Sequence, residues 1–88
     1  MQKQSRVLFA VRELSPALID LIRQVYCLGA TVILNHCSDA GCVLAAAAAT
    51  HPTHVFFDLT ALEEMKFPKS DIKWYVCTDA GTYYQYKA

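Results

Sequence analysis

The chain has 88 residues, of which 55% are apolar, with eight basic and eight acidic side chains giving no net charge. So little material builds one hydrophobic core, so residues 1–88 form a single domain, and the apolar content excludes intrinsic disorder. No stretch concentrates Lys or Arg, which removes the electrostatic footprint of a nucleic-acid binder.

After Met1-Gln2-Lys3-Gln4-Ser5-Arg6 comes the apolar run Val7-Leu8-Phe9-Ala10-Val11. Five residues are too few for a signal peptide or a membrane span, so a cytoplasmic protein with no membrane partner is expected. An unbroken apolar run suits a strand buried on both faces, as in a parallel sheet. Ser15-Pro16 supplies an N-cap and the helical position that tolerates proline. Leu18, Leu21, Ile22, Val25 and Leu28 then recur at helical spacing, and Gly29 stops the helix by taking the left-handed conformation at little cost.

Thr31-Val32-Ile33-Leu34 is the second strand, and Ser38 or Asp39 caps a second helix that runs through the five alanines 45–49. Alanine favours helix and lets another element approach closely. His51-Pro52 ends this helix, because a residue before proline is pushed towards extended geometry. A third strand follows over 54–59, then a short helix from the capping box Thr60-Ala61-Leu62-Glu63 to Phe67-Pro68. Residues 72–77 form a fourth strand, Asp79-Ala80-Gly81 a turn, and 82–86 a last strand. That connection is too short for a parallel crossover and requires an antiparallel hairpin.

This order, together with Ala45 to Pro52 followed by Val55-Phe56-Phe57-Asp58-Leu59, resembles the receiver domains of two-component signalling over roughly residues 6–79. The resemblance implies a small three-layer or open two-layer flavodoxin-like α/β domain, βαβαβαβ, with a largely parallel sheet and a C-terminal β-hairpin. It also implies Asp58 as phosphoacceptor and Thr78 as the hydroxyl at the end of the fourth strand. Where that family places an acidic pair to hold Mg²⁺, this sequence has Arg12-Glu13, one carboxylate at best for a metal that demands a full octahedral oxygen shell. The family's fifth parallel strand, its lysine and its final helix have no counterpart before Ala88. The other reading of Asp58 is a strand-end acid that caps the next turn, or that pairs with Arg12 across adjacent strands.

His36, Cys37, Cys42 and Cys77 are residue types that bind zinc. In the receiver order 2-1-3-4 the second and fourth strands are not neighbours, which keeps Cys77 away from the others. Neither a metal nor any other cofactor is expected, and the thiols are read as free. His36-Cys37 has no third group to orient a nucleophile, and the first loop, Arg12-Glu13-Leu14-Ser15, lacks the glycines of a phosphate loop. Catalysis is therefore not expected.

The remaining feature is aromatic. Trp74, Tyr75, Tyr83, Tyr84 and Tyr86 crowd two short strands, and such residues serve equally as hairpin packing and as interface anchors. Without a final helix the sheet should be bare beside the third and fourth strands, on the side of the first helix. The expected function is that of a small non-enzymatic regulator or inhibitor that docks on another protein, with a homodimer as the expected assembly. A phage or mobile-element protein blocking a host enzyme fits that description. The alternatives are a phosphoacceptor switch at Asp58 and a thiol or metal protein using Cys37, Cys42 and His36.

Overall fold

In the computed structural model, residues 5–58, 71–77 and 83–85 are described. The short helix expected over 60–67, the turn at 79–81, Thr78, Tyr86 and the side chain of Tyr84 lie outside the described residues. The elements are β1 (Arg6–Val11), α1 (Pro16–Cys27), β2 (Thr31–His36), α2 (Ala40–Thr50), β3 (His54–Asp58), β4 (Lys73–Cys77) and β5 (Tyr83–Gln85). The sheet runs β2-β1-β3-β4-β5. The first four strands are parallel, and β5 pairs antiparallel with β4. This is an α/β domain compatible with a small flavodoxin-like fold, and among the described residues no helix is long and apolar enough to cross a membrane.

Local chemistry explains each helix end. The Ser15 hydroxyl accepts from the Leu18 amide at 3.2 Å, and the Asp39 carboxylate accepts from the Cys42 amide at 2.8 Å, each relieving an amide that the first helical turn leaves unpaired. Gly29 lies just past α1 with φ +93°, a region in which a side chain is strained. At the end of α2 the expectation needs correction. His51 is left-handed, with φ 51° and ψ 55°, and not extended, because its amide turns back to bond the Ala47 carbonyl at 3.1 Å.

Strand pleating sends alternate residues to opposite faces, so the core of this one domain forms two layers, one on each side of the sheet. On one face Leu8, Ala10, Val55, Phe57, Trp74 and Val76 pack against Val43, Ala46 and Ala47 of α2. On the other, Val7, Phe9, Val11 and Phe56 pack against Leu18 and Leu21 of α1. At the amino-terminal edge of the sheet, the Arg6 guanidinium donates to the Thr50 carbonyl at 2.8 and 3.2 Å, satisfying an end carbonyl of α2. Leu28, expected on the buried face of α1, is 86% exposed, since it caps the helix beyond the last turn that touches the sheet.

Candidate functional site

Three places on the molecule carry the residues singled out above. At the carboxyl edge of the sheet, where ligands of open α/β domains bind, β1 and β3 lie side by side and their ends meet. There Asp58 Oδ2 accepts the Arg12 backbone amide at 3.0 Å and faces the Arg12 Nε at a long 3.4 Å. The side chains are 46% and 21% exposed, so water screens the pair and its contribution to stability is about 0–1 kcal/mol. The backbone bond matters as much as the charge. It holds the carboxylate over the start of the β1–α1 loop and occupies one oxygen that a metal or a phosphoryl group would need. Glu13 is exposed and borders a cavity of about 300 Å³ with Arg12, Leu14, Leu34 and His36, alongside Asp58's end of the sheet.

The cysteines separate by face. Cys37 belongs to the core under α2, and Cys77 to the core under α1, so the sheet itself stands between them. This is a stronger barrier to a shared metal than strand order alone. Among the described residues no three His, Cys, Asp or Glu side chains converge as a metal site. Burial pushes the Cys77 thiol up to about 11, helped by the nearby Asp58 charge. Burial likewise pushes Cys37 up to about 12, with the hydrogen bond and charge of Cys42 adding to the effect. Burial thus favours the protonated form of both while Cys42 remains a free thiol. Sequence reading did not pair Cys37 with Cys42 directly. Their Sγ atoms lie 2.6 Å apart, and the Cys42 thiol also approaches the His36 carbonyl at 3.5 Å.

The third place is aromatic and splits the expected cluster. Trp74, a candidate contact residue, is 6% exposed and stands edge-on to Phe57 at 6.3 Å within the core under α2. Its neighbour Tyr75 points the opposite way, as the pleat requires. On the α1 side Phe9, Phe56 and Tyr75 form a stacked row across β1, β3 and β4, with centroids 4.9 and 4.8 Å apart. Tyr83 of β5 stands edge-on to Phe56 at 5.3 Å and to Tyr75 at 6.1 Å, and His54 stacks on Tyr75 at 6.1 Å. These are the offset and T-shaped arrangements that aromatic quadrupoles favour.

Beside this row lies a groove of about 390 Å³ lined by Val25, Leu28, His54, Phe56, Tyr75 and Tyr83, among others. Tyr83 is 49% exposed at its rim. Sequence reading named Tyr75 and Tyr83 but missed His54 and Phe56. The signal available was the alternation along β3, which puts both on the face that carries Tyr75. Comparison with known proteins decides nothing further. No family model, no curated protein and no solved structure matches the chain.

Proposed function

We propose that this chain is a small non-enzymatic docking domain of a regulatory or inhibitory kind, whose contact face is the groove at Phe56, Tyr75 and Tyr83. One observation carries the reading: an aromatic row continues from the core to a half-exposed tyrosine beside an open groove, where an isolated domain gains nothing by leaving it uncovered. Two others support it. Asp58 is engaged by Arg12, and the buried Cys77 thiol is held protonated, so neither offers a free reactive group.

The occupant we assign to the groove is a second copy of the chain. Leu28, protruding at the rim of the same groove, provides a knob beside a hole, which is what an isologous two-fold contact needs. Zero net charge leaves no overall repulsion between copies. A cytoplasmic home belongs to the same reading, since all four cysteines are free.

Sedimentation velocity over a concentration series tests this. The parent should dimerise, and Leu28→Glu and Tyr83→Ala should each shift it towards monomer while circular dichroism stays unchanged. A parent that remains monomeric at the highest concentrations overturns the assignment.

The alternative reading, a phosphoacceptor switch, draws on the position of Asp58 at the point where strand order reverses between β1 and β3. Acetyl phosphate with Mg²⁺ separates the two. A phosphoryl adduct on the parent that Asp58→Asn abolishes would establish the switch, and none is expected while Arg12 occupies the carboxylate.

A further inference from the structure

The Cys37 and Cys42 thiols have no part in the docking reading, yet they are placed as partners. Cys37 directly follows β2, and Cys42 lies in the first turn of α2. The Asp39 cap between them fixes the turn that brings their sulfurs to 2.6 Å. A disulfide needs about 2.05 Å, so closure brings the two sulfurs together by roughly half an ångström. Access is unequal. Cys37 is 2% exposed, whereas Cys42 is only partly buried, so reagents reach Cys42 first.

We propose that Cys37 and Cys42 form a reversible redox pair, oxidised by low-molecular-weight disulfides of the glutathione class. The Cys42 thiolate attacks one sulfur of the small disulfide, breaking its S–S bond and releasing one small thiol, which takes up the proton Cys42 gave up. Cys37 then loses its proton and attacks the Cys42 sulfur, expelling the second small thiol, which carries that proton away. The balance is two protein thiols and one small disulfide giving one protein disulfide and two small thiols. Burial is the main reason Cys37 holds its proton, and Cys42 adds to it. The mixed disulfide at Cys42 removes Cys42's own charge and thiol hydrogen, which favours the second step. Because α2 covers the face under Cys37, the bond would staple the loop at the carboxyl edge of the sheet to that helix.

The test is made on the full chain carrying Cys27→Ser, which removes the exposed thiol. After incubation with oxidised glutathione and acid quenching, the intact mass should fall by about 2 Da. Cleavage on the amino side of aspartates separates 20–38, holding Cys37, from 39–57, holding Cys42. The two peptides should remain linked until a reductant is added. Under native reducing conditions, a short exposure to iodoacetamide should label Cys42 well ahead of Cys37. Cys42→Ser should abolish the loss of mass. Persistent glutathione on Cys42 without an internal link, a fully reduced chain throughout, or a link from Cys37 to any other cysteine would each overturn the proposal.

Discussion

The two faces of the sheet are made from the same strands but finished differently. Under α2, small residues of the helix press against large residues of the sheet: Ala46 and Ala47 lie against a layer containing Leu8, Phe57 and Trp74. Under α1 the helix reaches Val7, Phe9 and Val11, and beyond it the same layer continues as Phe56, Tyr75 and Tyr83 into an open groove. Among the described residues, one face is therefore closed by close approach and the other is left partly uncovered. The contrast teaches that aromatic content alone does not mark a contact surface. Trp74 and Tyr75 are adjacent in sequence, and only the pleat decides which is core and which borders the groove.

The largest expected effect sharpens this difference. Phe57→Ala, on the closed face and fully buried, should destabilise the domain by about 3–5 kcal/mol, because a cavity there has little freedom to collapse. Tyr83→Ala, at the open rim, should cost less, about 0.5–1.5 kcal/mol for each of its two aromatic contacts. Urea unfolding of both variants measures the gap, and equal losses would mean that the open face is as much a core as the closed one.

A smaller effect probes how tightly α2 sits. Ala46→Leu should cost about 1–3 kcal/mol by overpacking the space between helix and sheet. Ala48→Leu, on the exposed side of the same helix, should stay within about 0.5 kcal/mol of the parent. If both are neutral, α2 does not press on the sheet as closely as the buried alanines indicate.

The smallest effect concerns the groove and its pH response. His54, stacked on Tyr75, has its pKa lowered from 6.5, first by burial and then by the Lys73 charge. The folded state thus binds this proton less readily than the unfolded state. Stability contributed by neutral His54 is present above pH 6.5 and declines as the pH falls from there towards the lowered folded value. Melting curves between pH 7.5 and about 5 should show that decline, and His54→Gln should flatten the part that His54 causes. A parent curve unchanged by the substitution would place His54 in open solvent.

Much of the fold was legible because its signals are local. Ser15 and Asp39 cap the helices they precede, and Gly29 stops the first as its φ allows. Long apolar runs became the parallel strands, and the short connection after β4 gave the antiparallel β5. The Arg12–Asp58 contact was also readable, since the ends of β1 and β3 must adjoin once the strand order is chosen. Less of the site was legible. The 2.6 Å approach of Cys37 to Cys42 depends on how the β2–α2 turn closes, and the place of His54 and Phe56 in the groove depends on their register with Tyr75 and Tyr83.

What the sequence by itself determined, over the described residues, is the succession of elements and most of their ends, because caps, prolines, glycines and apolar periodicity act on the backbone within one or two turns. What only the tertiary structure decided is which face each side chain meets and whether anything covers it. Trp74 was closed into the core by α2, Cys37 and Cys77 were parted by the sheet, and Tyr75 was left at a groove that the end of α1 borders without filling. The physical reason is that coverage belongs to pairs of distant segments. It is settled when β1, β3, β4 and β5 align and the helices choose their sides, and no stretch of chain shorter than the whole sheet contains that information.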